Sequence, residues 1–543
     1  MLVLKGKSVN TGITIGPLAL FHRNTISTAE RKIEDVAAEI DRFQAAREAA
    51  IRQLQALYEK ALAKVGEEQA AVFEVHQMML EDDDYIDSIV GQIEEKQCNA
   101  ESAVENTAQQ FATMFREMDD AYMQARAADV LDISRRVEQE LCGGQGIDFS
   151  KYDEVIIAAD DLAPSETMQL DTDKILGFIT SGGSANSHTA ILARTLGIAA
   201  IVNTGTQLHQ DVDGLLAIVD GTTGTVYINP DAETLARMQQ AQKEEEDRRK
   251  RLELVRGLPS ATKDGKAVEI FANIGNPDNL PQVLANDAEG IGLFRSEFLY
   301  LGRTDYPTEE EQFEAYKKTV QALPGKKVVI RTLDIGADKK VDYFNLAEEE
   351  NPALGMRAIR ICLTRPELFK TQLRALCRAS AFGKIAVMFP MIISVKEIRR
   401  AKELLQEVRQ DLDRRGIAYD KDMEIGIMIE TPAAAIMSDD LAKEVDFFSI
   451  GSNDLTQYTL AIDRQQTQLD SFFDAHHPAV LRLIGQTIAN GHQAGIWVGI
   501  CGELGADLSL TETFLRMGVD ELSVSPQSVL PLRDTVRSLD LSK

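Results

Sequence analysis

The spacing of apolar positions changes along the chain, and each change predicts a different architecture. Residues 1–16 mix Lys5 and Lys7 with Val, Leu, Ile and Gly and read as a strand rather than a signal peptide. From Ser27 to Leu141 the pattern turns helical. Ser27-Thr28-Ala29-Glu30 has capping-box spacing. Ile33, Val36, Ile40, Phe43, Leu54 and Leu57 then form an apolar seam. Further helices are predicted over 70–80, 100–115 and 121–141, and the short loops between them imply a bundle. Strand-like runs return at 154–158, 175–180, 199–202, 215–219 and 225–228. They describe a compact α/β unit with the bundle inserted after its first strand. A charged, helix-favouring stretch over 232–254 contains Glu244-Glu245-Glu246 and Arg248-Arg249-Lys250-Arg251. Gly257 and Pro259 end it, and it reads as a helical linker.

Beyond residue 260 the period shortens again. Candidate strands lie at 268–272, 291–294, 328–330, 385–389, 425–429, 447–450, 497–500 and 521–524, most of them separated by helical patterns. Eight strands in this order predict a (β/α)8 barrel, whose chemistry sits at the C-terminal strand ends. Those ends carry Arg295, Arg331, Glu430, Asn453-Asp454 and Cys501. The expected fold class is therefore multidomain α/β. The expected boundaries are 1–26 for the first strand, 27–144 for the bundle, 145–230 for the α/β unit, 231–258 for the linker and 259–543 for the barrel.

Composition narrows the function classes. The chain has 543 residues, enough for about three or four domains. No run approaches the roughly 20 apolar residues of a membrane span. The five cysteines are scattered, odd in number and without CxxC spacing, which argues for reduced thiols in a cytoplasm and against a zinc cage. A formal net charge of −28 argues against a nucleic-acid partner; it suits a basic protein partner, though taken alone it is as well explained by solubility. An anionic substrate would then need local arginines.

Candidate chemistry follows. Ser181 to Arg194 reads as strand end, small-residue loop and helix start, with His188 at the start. A helix start offers free N–H groups to phosphate, and neutral imidazole is a nucleophile near physiological pH. The alternative is a capping loop with a surface histidine. Arg295 and Arg331 follow apolar strands, and Arg464 follows Ala461-Ile462-Asp463. Guanidinium forks on one rim would hold a small polyanion. Alternatively each pairs with a carboxylate such as Glu297, Asp334 or Asp463. Glu430 and Asp454 lie at adjacent strand ends, as a Mg²⁺ site requires, or act as helix caps. Cys501, in Gly499-Ile500-Cys501-Gly502, can serve as a general acid or as a buried structural thiol.

Together these segments resemble Enzyme I of the bacterial phosphoenolpyruvate (PEP)-dependent sugar phosphotransferase system over nearly the whole chain. Pro164-Ser165-Glu166-Thr167 and Ser187-His188-Thr189 resemble its phosphohistidine domain. Val72-Phe73-Glu74-Val75-His76, Leu80-Glu81-Asp82 and Arg126-Ala127-Ala128-Asp129-Val130 resemble the helical domain that docks the carrier protein HPr. Asn351 to Arg357, Gly451 to Tyr458 and Cys501 to Gly505 resemble its PEP-binding barrel. The resemblance implies that His188 is phosphorylated by PEP and passes the group to HPr, releasing pyruvate, with Thr167 in support. It implies PEP binding by Arg295, Arg331, Asn453, Asp454 and Arg464, with Lys339 and Arg357 nearby. It also implies Mg²⁺ (or Mn²⁺) at Glu430 and Asp454, protonation of the enolate by Cys501, and a homodimer formed through the barrel.

Some positions depart from the family pattern. Before His188 the chain reads Gly182-Gly183-Ser184-Ala185-Asn186-Ser187, one residue longer than the family loop and without its Arg and Thr. The usual Gly-Gly after Arg-Thr-x-Asp-Ile is Gly336-Ala337, and the N-terminal turn is Asn10-Thr11-Gly12. The sequence stops short of the C-terminal tail the resemblance implies. Two other readings share parts of this set. A PEP synthase or dikinase needs a nucleotide-binding domain, and residues before 150 look like an acidic bundle instead. A regulatory PEP-sensing phosphorelay protein could have lost catalytic groups, yet Glu430, Asp454, Arg464 and Cys501 are all present.

Overall fold

The computed structural model describes all residues except 22–27, 66, 119–120, 144–153, 168–169, 171–173, 184–187, 207, 337–340, 465 and 470. The chain divides into two compact units, Met1–Arg248 and Arg249–Lys543.

The first unit opens with three strands where the sequence suggested one: β1 (Leu2–Lys5), β2 (Lys7–Asn10) and β3 (Ile13–Leu20). The breaks have local causes. A Cβ on Gly6 would lie 2.6 Å from the Val202 carbonyl oxygen, so only glycine lets the chain pass there. Gly12 turns the chain at φ +121°. With β4 (Val155–Ala159), β5 (Ile175–Thr180), β6 (Ala199–Val202), β7 (Leu216–Asp220) and β8 (Thr225–Ile228), these strands form one sheet of order β1-β8-β7-β3-β4-β5-β6-β2. Leu18 pairs with Ile156 in parallel register, so the helices between β3 and β4 are an insertion into the sheet.

Those helices are α1 (Val36–Val65), α2 (Glu67–Leu80), α3 (Asp83–Lys96), α4 (Ala100–Arg116) and α5 (Ala121–Cys142). The expected cap at Ser27 lies outside the described residues. The first helix begins only at Val36, where the Asp35 carboxylate accepts from the Ala38 N–H at 3.0 Å. Residues ahead of it are extended because Ile33 donates to the Gln97 carbonyl and Asn99 to that of Arg31. Helix α3 had no counterpart in the sequence reading. Its cap, Asp82, sits inside an acidic run that resembles a loop, but Tyr85, Ile89 and Ile93 bury one face at helical spacing. After the bundle come the short helix α6 (Pro164–Thr167) and α7 (His188–Leu196); α8 (Ala232–Val255) runs across the division between the units.

The second unit is a closed parallel barrel of β9 (Glu269–Ile274), β10 (Ile291–Arg295), β11 (Val328–Arg331), β12 (Ile385–Phe389), β13 (Ile425–Ile429), β14 (Phe447–Ile450), β15 (Trp497–Ile500) and β16 (Glu521–Val524). Strand alternation sorts its side chains. Phe294, Ile330, Ile427 and Ile429 pack outward against the helices. Leu293, Val329, Met388, Met428 and Phe447 fill the interior with Cys501. No described helix is long and apolar enough to cross a membrane.

Candidate active site

That alternation also aims the functional groups. Arg295, Arg331 and Glu430 each stand two residues beyond an interior side chain, namely Leu293, Val329 and Met428. They therefore project to the inner side of the C-terminal mouth. A cavity of about 790 Å³ opens there. Its lining includes Arg295, Arg331, Arg357, Asn453, Asp454, Arg464 and Cys501. The structure thus gathers seven of the expected barrel residues at one mouth. Glu430 lies against it, fully buried.

The arginines fall into two pairs. Arg331 and Arg357 are buried. One carboxylate, Asp334, holds both, at 2.8 Å from each guanidinium. Glu297 holds Arg331 from the other side at 2.8 Å. Burial works against the charge of Arg331, but Asp334, Glu297 and Glu430 more than offset it, and the guanidinium stays fully ionised. Arg357 is likewise penalised by burial and kept charged by Asp334, Glu430 and Asp454. The pairing with Glu297 and Asp334 weighed in the sequence is present, and it holds the arginines at the cavity wall. Arg295 and Arg464 are exposed at the rim. Arg464 reaches Asp454 at 3.7 Å, whereas Arg295 has no carboxylate within ion-pair distance among the described residues. Sequence reasoning treated Asp334 only as a competitor; its role as a bridge required the fold, since Arg357 is remote in sequence.

The carboxylates are arranged differently. Asp454 lies in the first turn of the helix Ser452–Leu460, 3.8 Å from Arg357. Glu430 accepts from the Met391 N–H through Oε1, while its Oε2 is buried without a hydrogen-bond partner. Burial, then Asp454 and Asp334, push the Glu430 carboxyl up to about 8. Such an orphaned oxygen beside a second carboxylate is what a divalent cation would satisfy. Among the described residues no group of three or more His, Cys, Asp or Glu could hold a metal ion; a cation at the Glu430 and Asp454 pair would leave its other positions to substrate oxygens or water.

Asn453 is engaged with Glu503: its amide donates to the carboxylate at 3.0 Å, and its carbonyl accepts from the Glu503 N–H at 2.9 Å. This joins the loop after β14 to the loop after β15. Gly502 permits the approach, since a Cβ there would fall 2.0 Å from the Ser452 hydroxyl. Cys501 is buried at the cavity floor, and burial pushes its thiol up to about 12. Tyr458, unforeseen in the sequence, accepts from Arg357 at 3.2 Å and donates to the Ala353 carbonyl.

In the first unit, α7 begins at His188, so the backbone N–H groups of its first turn have no partner within the helix. The loop 184–187 lies outside the described residues, and so does Lys339. Helix α6, which carries the buried Thr167, packs against α7. In the bundle the two segments singled out in the sequence meet: His76 of α2 lies 3.2 Å from Asp129 of α5, which Arg126 also contacts at 2.9 Å.

A barrel mouth that combines buried, carboxylate-held arginines with exposed ones, beside the buried Glu430 and the half-buried Asp454, is an anion-handling enzyme site. Comparison with known proteins agrees. Residues 249–541 match the PEP-binding domain of PEP-utilising enzymes, 5–126 their N-terminal domain and 152–224 their mobile domain. The phosphoenolpyruvate-protein phosphotransferase of Staphylococcus carnosus is 43% identical over 541 residues, covering 99% of this chain and 94% of its own. That of Geobacillus stearothermophilus is 44% identical over 537 residues, covering 99% and 93%. A solution NMR structure of an Enzyme I protein is 34% identical, covers 45% of this chain and 99% of its own, and has a TM-score of 0.40. The chain belongs to the PEP-utilising enzymes and, within them, to the phosphoenolpyruvate-protein phosphotransferases.

Proposed function

We propose that this enzyme takes the phosphoryl group of PEP onto His188 and passes it to the histidine of the phosphocarrier protein HPr, releasing pyruvate, as the first step of sugar uptake by the phosphotransferase system. The observation that carries this reading is the convergence of Arg295, Arg331, Arg357, Arg464, Asp454 and Cys501 on one cavity. PEP presents a phosphate and a carboxylate, and guanidinium forks match both. Arg331 and Arg357 are already oriented by Asp334, so they meet the transferring charge without reorganising. Arg295 and Arg464, exposed at the rim, can close on the substrate. Asn453 lines the cavity and is held there by Glu503.

The carboxylates Glu430 and Asp454 are suited to Mg²⁺, or Mn²⁺, which would bridge and neutralise phosphate oxygens when bound. The N-terminal end of α7 favours phosphate on His188, and Thr167 on the adjoining α6 supports it. The Cys501 thiol, held well above its ordinary range by burial, keeps its proton at neutral pH. It can therefore protonate the enolate left when the phosphoryl group departs. On this reading 27–144 docks HPr, 1–26 with 145–230 carries the phosphohistidine, 231–258 links, and 259–543 binds PEP and forms a cytoplasmic homodimer. Lys339 lies close in sequence to Asp334 and would assist substrate binding.

The test is incubation with labelled PEP, with and without HPr. The chain should acquire an acid-labile label that HPr removes, and His188→Ala should acquire none while still binding PEP in the barrel. Acid-labile labelling retained by His188→Ala would overturn the assignment.

A further inference from the structure

One wall of the cavity is held in place with little apolar burial. Asn351, Pro352, Ala353 and Leu354 line the cavity, and Arg357 follows three residues later. Yet Leu354 is 63% exposed and Met356 39%, so the two large apolar side chains of this segment are turned to water and give it little packing. Polar clamps hold it instead. On one side Arg360 donates through Nη1 to the carbonyls of Leu354 and Gly355, at 2.7 Å each. On the other the Glu349 carboxylate accepts the Met356 N–H with both oxygens, at 2.9 and 3.1 Å. Gly355 makes room for that carboxylate, since a Cβ there would fall 1.8 Å from Glu349 Oε2. Its φ is −94°, which any residue can adopt, so glycine is needed for space rather than for backbone freedom.

Just past Arg357 the backbone is strained. Ala358 is fully buried and has φ +53° and ψ −127°, a conformation that a side chain disfavours. Such strain persists only where the surrounding structure fixes both flanks. One flank is fixed by the barrel: the Ala358 N–H donates to the Ile335 carbonyl at 3.0 Å, next to the Asp334 that takes the Arg357 guanidinium. The other flank is Met356, and Glu349 is what grips its N–H.

From this arrangement we infer that Glu349 is a positioning residue for phosphoryl transfer: by clamping the Met356 N–H it holds the strained turn that sets Arg357 at the cavity wall. The inference rests on the reading of this cavity as the PEP site and of Arg357 as one of its cations. Glu349 does not line the cavity, and its negative charge would not attract PEP, so its part is played through Arg357. With the carboxylate gone, the Met356 N–H turns to water and the turn at Ala358 is free to relax toward an ordinary conformation. The Arg357 backbone lies between the two and moves with them. Asp334 and Tyr458 still hold the guanidinium, so the cation stays in the cavity but loses its fixed place.

Steady-state pyruvate formation from PEP, with HPr and Mg²⁺, tests the clamp on the full chain, read beside thermal melting. Glu349→Ala should lower kcat on the order of 10²-fold, the cost of a misplacement of about 1 Å, and leave KM nearly unchanged. The melting temperature should hold, because relaxation at Ala358 offsets the lost hydrogen bond. Glu349→Gln, whose amide oxygen can still accept the Met356 N–H, should recover most of the native kcat. Gly355→Ala drives a Cβ into the carboxylate, so it should reproduce the Glu349→Ala loss, and it carries the test if Glu349→Ala does not fold. In the double variant the clash has gone with the carboxylate, so the two losses should not multiply. Native kcat in Glu349→Ala, a Glu349→Gln as slow as Glu349→Ala, losses that multiply, or a melting temperature that falls in step with kcat would overturn the inference. Arg357→Ala separates it from the reading beneath it. If Arg357→Ala is slow while the Glu349 variants are native, only the clamp falls. If Arg357→Ala turns over at the native rate, the reading of Arg357 falls and the clamp with it.

Discussion

Asp334→Asn removes the single charge that joins two buried arginines without changing the shape of the side chain. Asp334 meets Arg331 and Arg357 at 2.8 Å each, with side-chain exposures of 4% for Asp334, 8% for Arg331 and 10% for Arg357. A hydrogen bond to a charged group contributes about 1.5–3 kcal/mol. Asparagine can still accept from one guanidinium as a neutral group, so the loss should be roughly one such bond plus the uncompensated charge. That places the cost near the ~3 kcal/mol lower bound for breaking a buried pair. In a barrel unit of this size each kcal/mol moves the melting temperature by roughly 2 °C, so a drop of about 6 °C is expected. The activity effect is larger than the stability effect. Freed from their bridge, the two guanidiniums lose their fixed spacing, and misplacement of about 1 Å costs on the order of 10²-fold. The loss should appear in kcat more than in KM, because the cavity keeps every cation and loses an anion. Thermal melting and steady-state pyruvate formation are read on the same preparation. An unchanged melting temperature with native kcat would show that Glu297 and Asp454 alone position the arginines.

Three further outcomes are expected. The Glu521 carboxyl has a folded pKa of about 8, above its ordinary 4.5, so the folded chain holds a proton that the unfolded chain releases. Its contribution is full below pH about 4.5 and is lost as pH rises through about 8, and at about 1.4 kcal/mol per pKa unit the loss is several kcal/mol. Glu521→Gln should therefore gain stability over the native chain progressively across that window in denaturant titrations; a constant difference would refute the shift. Chelation of divalent cations should stop pyruvate formation from PEP and spare transfer from phosphorylated His188 to HPr, and equal inhibition of both half-reactions would contradict the proposed metal site. Arg464→Ala should fall toward the 10³–10⁵-fold loss seen when an arginine meeting transition-state charge is removed, with the melting temperature unchanged because the side chain is exposed; near-native turnover would make Arg464 structural.

The barrel was legible because each strand is a short apolar run, and the run is its own signal. Those at 385–389, 425–429, 447–450, 497–500 and 521–524 coincide with β12 to β16. What failed were places where a polar or flexible residue decides the outcome. The opening segment breaks into three strands at Gly6 and Gly12, whose roles depend on Val202 and on a turn, partners or conformations that local spacing does not encode. Helix α3 was hidden because its capping aspartate lies in a run of acids. In the site, residues that end a strand are marked by position alone, and the structure brings Arg295, Arg331 and Cys501 to one cavity. Asp334 and Tyr458 were not assigned their parts, because each meets Arg357, which is remote in sequence and brought near only by the fold.

The charge pattern of the mouth explains why these bridging groups matter to an anion-handling enzyme. Four guanidiniums on one cavity would repel one another and pull the wall apart if left alone. Glu297 and Asp334 sit behind Arg331 and Arg357 and neutralise them from the protein side. The pair can then be buried, rigid and still charged. Arg295 and Arg464 have no such backing from buried carboxylates and remain in contact with water at the rim. Fixed cations contribute preorganisation, because their solvation was given up during folding and not during the reaction. On the proposed reading, the exposed cations would contribute capture and release, because their pairing with substrate can exchange for water. The two demands conflict in any single arginine, and the barrel meets both by placing one pair at strand ends and loops over carboxylates and the other pair at the solvent edge.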